Sequence, residues 1–511
     1  MQKSPSIQQL VEHVRIHQEM GKYDTLLPVI NTLLKKDPNN SEYLLWKLQV
    51  LDAQQEEILD FNLLHHYVNM RSSDVTGYLL LYKAYMSKNM VADALIALAY
   101  ALSIDPKDEE CQYLFNKTLA DINPKYIKLK INILTLNRIG HLAVEIEPWL
   151  RRQKNEVHED DCLYVFISNG ITPANTALYN LLKNNVHIIE SKVWFDFYST
   201  RAQLLDEVFF IQFPYDIHSV MRGNTNENIV TKGNQELIRI YNNYSSVLQL
   251  APADIAQGWE LLGHYGLSKS DKIVCLHVRD SDYLGKISRN ADFSYHDYRD
   301  ANIANYQKAV EVLIDKGYKV VRIGNGSNQQ LNILSENYLD LCLDRDEEYG
   351  DFFELLLISQ CYFYIGALSG PFSVAALFDV PILLINSTPF NPQYSRNTRF
   401  IPKHLFHNNE EVNLIDVCKG KVLSEDSNET ILLCFNGKKL SKYGYQYVEN
   451  TPEEILSAVN EFEKQIVDGE FLNEVTPLQK KYIERLPTDF VFKDSSSLVC
   501  DSFLSQYPEL F

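Results

Sequence analysis

The sequence predicts an all-α region of repeated helix pairs followed by two Rossmann-like, doubly wound α/β halves. Three observations carry this reading. Two Asp-Pro turns, Asp37-Pro38 and Asp105-Pro106, stand 68 residues apart in an otherwise helical stretch. From Lys128 onward, short β-rich runs alternate with helix-like segments. That alternation starts afresh at Asp271 and runs to Asn386. The expected divisions are 1–124 for the helical repeats, 125–266 and 267–470 for the two α/β halves, and 471–511 for a C-terminal tail.

Composition sets the outer limits. The chain has 511 residues, 45% hydrophobic and 23% charged, as in an ordinary globular protein with room for several cores. Its 48 Lys+Arg against 67 Asp+Glu give a net charge of −19. That balance argues against a general nucleic-acid or anionic-membrane binder, which needs an excess of cations. Eight scattered Cys with no C-x-x-C pair exclude a zinc knuckle or a thioredoxin-type motif and fit a reducing compartment. The amino-terminal segment lacks an apolar signal core, and no apolar run has membrane-spanning length. A cytoplasmic location is expected.

The spacing of the two prolines is twice the period of about 34 residues of tetratricopeptide (TPR) repeats. Aligned on Pro106, the repeat puts Ala94 and Ala101 at small positions between packed helices and Tyr85 on the first helix of the pair. The earlier copy has Gly21 at its inter-helix turn but Leu26 and Leu33 at the small positions, and the middle copy closes near Arg71 without a proline. Three helix pairs over 5–106, with a further helix from Asp108, are expected to stack for burial. Such a surface suits a protein partner, or packs on the domain that follows.

The first α/β half reads as the strand KLKINIL (128–134), the helix HLAVEIEPWLRR, the strand CLYVFIS (162–168), the helix 176–184, and the strands VHII (186–189) and VFFIQF (208–213). Helices over 234–249 and 253–266 complete it. The second half begins at DKIVCLHVRD (271–280) and continues with strands at 318–324, 339–343, 361–366 and 381–386, with helices between them. Thr451-Pro452-Glu453-Glu454 opens a late helix with a capping box. A ligand cleft at the carboxyl ends of the strands follows from this architecture. GT-B glycosyltransferases, epimerases and some binding proteins share it, so fold alone leaves function open.

Three segments carry candidate chemistry. Leu276-His277-Val278-Arg279-Asp280 ends a buried strand, where an arginine is costly unless it is paired or used. Arg279 offers a fork of donors suited to a diphosphate, with His277 beside it. Gly366 to Ser373 turns from a strand into a helix at Pro371. Its open N–H groups form an anion site in which Ser369 can add a hydroxyl and Gly370 permits close approach, with Phe372 in the same turn. Arg138-Ile139-Gly140-His141 follows the first strand, and a helix N-terminus there keeps His141 neutral and able to accept a proton. Arg322 and Gly324, at the end of strand 318–324, complete the donor-side set. The Asp-x-Asp triplets at 280–282 and 344–346, and the pair His404 and His407, lack the accompanying ligands of a metal site, so no metal is expected.

Taken together, HVRDSDY…RNAD, YQKAVEVLIDKGYKVVRIG and FFELLLISQCYFYIGALSGPFSVAALFDVPILLIN resemble a bacterial glycosyltransferase family of the GT-B group that contains the H-x-R fucosyltransferases. RIGHLAVEIEPWL and ENTPEEILSAV extend the resemblance over roughly 128–470. It implies that Arg279 contacts the diphosphate of a nucleotide-sugar donor and that Ser369 and Gly370 lie at its phosphates. Asp280 stands where that group often has a second arginine, which argues against GDP-fucose. The expected reaction is a metal-independent transfer of a sugar to a hydroxyl of a glycan or protein. His141 is the first candidate base, Asp292 the second and Asp280 the third. A nucleotide-sugar epimerase, or a catalytically silent TPR scaffold, are the alternatives. The tail is expected to return across the halves.

Overall fold

The computed structural model describes residues 5–54, 60–157, 159–213, 227–280, 292, 294–325, 329–388, 394–424, 429–469 and 475–511. The chain forms two compact units. One contains 1–135, 159–171 and 186–211; the other contains 136–158, 172–185 and 212–511.

In the first unit, helices α1 (Ile7–Glu19), α2 (Leu26–Lys36), α3 (Ser41–Ala53), α4 (Phe61–Met70), α5 (Val75–Ser87) and α6 (Val91–Ile104) follow one another as pairs, and α7 (Glu109–Ile122) ends the series. Their starts are fixed locally. Side chains of Asn40, Asp60, Asp74 and Asp108 accept first-turn N–H groups of α3, α4, α5 and α7. Pro38 and Pro106 follow the ends of α2 and α6, where a residue without an N–H cannot extend a helix. Ala94 and Ala101 are fully buried, and Tyr85 is nearly so. The middle copy closes at Arg71, the C-cap of α4, with no proline.

Three parallel strands, β1 (Lys128–Leu134), β2 (Cys162–Ser168) and β3 (His187–Glu190), lie in the order β1-β2-β3. Their apolar residues share one core with the later helices: Tyr78, Leu95 and Tyr100 pack with Ile131, Val165 and Trp194. Trp194, on α10 (Lys192–Arg201), stacks on Tyr100 with ring centroids 5.8 Å apart. The strand expected at 208–213 is instead a 3₁₀ turn, Glu207–Phe209, followed by one bridge from Phe210 to Ile131. Asp206 caps that turn by accepting the Val208 N–H, a local bond that competes with a ladder.

The second unit is built on a seven-stranded parallel sheet. Its strands are β4 (Ile273–His277), β5 (Lys319–Arg322), β6 (Tyr338–Asp340), β7 (Phe363–Gly366), β8 (Ile382–Ser387), β9 (Thr398–Pro402) and β13 (Leu498–Val499), ordered β13-β9-β8-β7-β4-β5-β6. Strand β6 is shorter than expected because Asp340 accepts the N–H groups of Cys342 and Leu343, folding the chain into a turn. Order runs outward from β4 to β5 and β6 on one side, and from β7 to β8 and β9 on the other. The switch point therefore lies between the ends of β4 and β7, where a doubly wound sheet opens a cleft. A small antiparallel sheet joins β10 (His404–His407), β11 (Glu410–Glu411) and β12 (Tyr445–Val448). The late helix, Pro452–Asp468, has both bonds of the expected capping box. The tail supplies the edge strand β13 and packs Asp501–Gln506 on that late helix, while Asp494 and Ser496 bond Asn242. No described helix is long and apolar enough to cross a membrane.

Helices α8 (Ile139–Asn155) and α15 (Gly370–Leu377) of this unit lie side by side and run in the same direction. At their starts, a Cβ on Gly370 would sit 2.4 Å from Ile139 Cγ2 and 3.1 Å from the Gly140 nitrogen, so only glycine permits the approach. At their far ends, the buried Arg151 of α8 donates to the Leu377 carbonyl at 2.9 Å and the Ala376 carbonyl at 3.3 Å. Its other N–H groups reach Glu147 at 2.5 Å, Asp379 at 2.9 Å and the Tyr244 carbonyl at 2.8 Å. Arg151 thus places a cation at the negative end of α15. Replacing Arg151 by Met strands the buried Glu147, while Asp379 keeps Arg396 at 3.0 Å, and urea titration is expected to read a loss of about 3–5 kcal/mol in unfolding free energy.

Candidate functional site

A cavity of about 420 Å³ opens at the switch point. Its wall is made by the first turn of α8 (Arg138 to His141), the end of β4 (His277 to Asp280), Ile323 to Asn325, and the start of α15 (Leu368 to Ser373). His296, Arg299, Arg345, Tyr394 and Phe492 add to it. All these residues belong to the second unit.

Two helix starts face this space without side-chain caps. Arg138 precedes α8 and Ser369 precedes α15, and neither side chain bonds a first-turn N–H. Ser369 is of a type suited to capping, but its hydroxyl goes elsewhere: it donates to the Ala367 carbonyl and meets His277 Nδ1, both at 3.1 Å. With the single hydroxyl proton on Ala367, Nδ1 is the donor to Ser369, and the lone pair of His277 lies on Nε2. Burial, then Arg322 and Arg279, push His277 down to about 3, so the ring is neutral. Two positive helix ends of about half a charge each, roughly 4 Å apart, repel by about 1 kcal/mol at an effective dielectric near 20. An anion between them removes that repulsion.

Four arginines line the cavity, and two are neutralised. Arg279 pairs with Asp300 and donates to the His296 carbonyl at 3.3 Å. Arg345 bonds Asp351 at 2.6 Å and Glu354 at 3.3 Å. Arg138 and Arg299 have no ion-pair partner among the described residues. Arg299 donates to the Leu368 carbonyl at 2.6 Å, while its buried Nε has no hydrogen-bond partner. Burial lowers Arg299 to about 10, which still leaves it charged at neutral pH. Burial also lowers His296 to about 4, helped by Arg299, Arg279 and Arg138, so this ring is neutral too.

Of the residues expected from sequence, His141, His277, Arg279, Asp280, Gly324, Ser369, Gly370 and Phe372 line the cavity. Two do not. Arg322 is buried in an ion pair with Asp340 at 3.0 Å, and its charge helps to lower His277. Asp292 is exposed and bonded to Lys438, and hydrogen bonds from Lys438 and Ser294 hold it well below the usual carboxylate range, which makes it a poor proton acceptor. The DSDY residues 281–283 and the RNA residues 289–291 lie outside the described residues. His404 and His407 sit three apart on strand β10 rather than on a helix. His404 there bonds Glu411 at 2.5 Å and Glu454 at 3.1 Å. No group of three or more metal-ligating side chains is present among the described residues. Sequence reasoning named Arg138 within the segment before His141 but gave it no role, and it missed His296 and Arg299. The last two stand in SYHDYR, a 3₁₀ segment without periodicity, and only its density of polar and aromatic residues beyond β4 marks it.

Helix pairs, then a small parallel sheet, then a doubly wound sheet with a cavity at its switch point define a GT-B-like α/β chain preceded by TPR-like helices. No protein-family model matches the chain, and no curated protein matches it. Among solved structures, the chain is similar to a glycosyl transferase family 9 protein from Veillonella parvula. That match is 12% identical, covers 67% of this chain and 99% of the other, and has a TM-score of 0.38. ADP-heptose lipopolysaccharide heptosyltransferase II from Escherichia coli matches at 13% identity over 67% of this chain and 100% of its own, TM-score 0.37. A MamA RS-1 double mutant matches at 21% identity over 23% of this chain, TM-score 0.22, and the chain spans 65% of its length. At such identities and scores no activity transfers from these proteins.

Because Arg299 is an enclosed cation without a carboxylate partner, Arg299→Leu is expected to stabilise the free protein by about 1–2 kcal/mol. The same change is expected to weaken binding of inorganic pyrophosphate at least about tenfold. Thermal melts and calorimetric titration measure the two effects.

Proposed function

We propose that the protein transfers a sugar from a nucleotide-diphosphate donor to a hydroxyl of a glycan or protein acceptor. The observation that carries this reading is the pair of uncapped helix starts at Gly140 and Gly370, set beside the unpaired Arg138 and Arg299. Glycosyl transfer breaks the bond from the anomeric carbon to the diphosphate oxygen, and negative charge grows on the departing phosphate. Backbone N–H groups of α8 and α15, with Arg279 and Arg299, lie around the space that charge would occupy. Such preorganised donors contribute without reorganising during the reaction.

The acceptor hydroxyl loses its proton as the new bond forms. His141, in the first turn of α8, is the proposed base, and Asp280 is the second choice. With charge stabilisation assigned to arginine and helix ends, the reaction is proposed to need no divalent metal. The donor sugar is proposed as hexosyl or fucosyl-like, following the sequence resemblance. The helical repeat is the proposed surface for a protein partner.

A screen against GDP-, UDP-, CMP- and dTDP-sugars identifies the donor. With that donor saturating, Arg279→Ala is expected to lower turnover by about 10²–10³, and unchanged turnover and donor affinity remove Arg279 from the site. For His141→Ala, turnover is expected to fall about 10²–10⁴ with donor binding retained. EDTA is expected to leave the wild-type rate unchanged.

A further inference from the structure

The 3₁₀ segment Ser294–Arg299, which brings His296 and Arg299 to the cavity, is gripped from the small antiparallel sheet and its neighbours. Lys403, between β9 and β10, is 3% exposed. Its Nζ donates to the carbonyls of Tyr298 at 3.1 Å and Asp300 at 2.5 Å. It has no carboxylate ion-pair partner among the described residues. A buried ammonium held by neutral carbonyls is unfavourable in itself, so its presence calls for a reason. Just beyond, Glu449 accepts the Asn302 N–H at 2.8 Å and the Asn305 amide at 3.3 Å. Tyr447 of β12 stacks on Tyr298 with centroids 5.7 Å apart. Helix α17 (Gly437–Lys442) closes against the segment so tightly that a Cβ on Gly437 would lie 3.1 Å from Tyr298 Cδ1.

We propose that Lys403 is a positioning residue for the anion site. Its ammonium ties down the carbonyls of 298 and 300, and this sets Arg299 and, through the Asp300 carboxylate, Arg279 at the cavity wall. The inference rests on the anion-binding reading of the cavity.

The proposed role has a pH signature. Burial lowers Lys403 from 10.5 to about 8, opposed by Glu449 and Asp300 and aided by Arg279. Between these values the unfolded chain holds a proton that the folded chain has released, so this group's contribution to stability rises with pH. A neutral amine bonds the two carbonyls more weakly, so anion affinity falls over the same range. A merely structural lysine predicts no such divergence.

The test is calorimetric titration of the full chain with inorganic pyrophosphate, for wild type, Lys403→Met and Lys403→Arg. Near neutral pH, Lys403→Met is expected to bind about tenfold more weakly than wild type, and Lys403→Arg to retain most of the affinity. Near pH 9.5 the wild-type to Lys403→Met ratio is expected to shrink toward about one as Lys403 loses its proton; the titration of pyrophosphate itself cancels in that ratio. Hydrogen exchange over 294–302, in the same proteins without ligand, is expected to quicken in Lys403→Met. Lys403→Gln replaces it if Met folds poorly, with the same expected direction. A folded variant with wild-type affinity, a ratio constant with pH, or unchanged exchange overturns the proposal. Wild type failing to bind pyrophosphate sinks the anion-site reading instead, and the exchange result then decides the role of Lys403 alone.

Discussion

Two helices packed side by side in the same direction place like ends of their dipoles together, and the second unit holds α8 and α15 in that arrangement. Gly140 and Gly370 allow their starts to touch, and Arg151 answers the far end by donating to the last carbonyls of α15. The favourable half of the arrangement is complete within the protein, because Arg151 also has Glu147 and Asp379. The unfavourable half is left open at the cavity, where neither start has a side-chain cap. The electrostatic imbalance is therefore concentrated at one place, the switch point of the sheet.

The charges around that place follow from it. Arg279 and Arg345 are balanced by carboxylates, so they add shape and donors more than net charge. Arg138 and Arg299 are not balanced and add to the field of the helix ends. The buried histidines nearby are neutral chiefly because burial disfavours their charged form, with Arg322 and Arg279 adding to this at His277 and Arg299, Arg279 and Arg138 at His296. A chain with a net charge of −19 thus gathers four arginines around this cavity. An anionic ligand is the simplest occupant, and binding it relieves repulsion that the free protein tolerates.

Much of this was legible in the sequence, for identifiable reasons. The start of α15 is written in Ser369-Gly370-Pro371, and the late helix in Thr451-Pro452-Glu453-Glu454, because both signals act within one turn. The repeat was legible because two Asp-Pro turns stand two repeat periods apart and the last copy has Ala94 and Ala101 at its small positions. What the sequence did not yield was tertiary. Nothing local says that Gly140 faces Gly370, that Ser369 bonds His277 instead of capping its helix, or that Asp292 pairs with Lys438. Residues 208–213 form a short apolar run such as a buried strand has, yet the Asp206 cap turns them aside. Arg299 and His296 stand on a segment whose contacts with Lys403 and Tyr447, and beyond it with Glu449, are distant in sequence.

The account turns on whether an anion sits against both helix starts at once. The direct measurement is an amide spectrum of protein labelled with nitrogen-15 at its 20 glycines, titrated with inorganic pyrophosphate. The account predicts saturable shifts of the Gly140 and Gly370 N–H resonances with a common dissociation constant, while Gly21 and Gly469 stay fixed. Binding that moves neither Gly140 nor Gly370, or the absence of any binding, would contradict it.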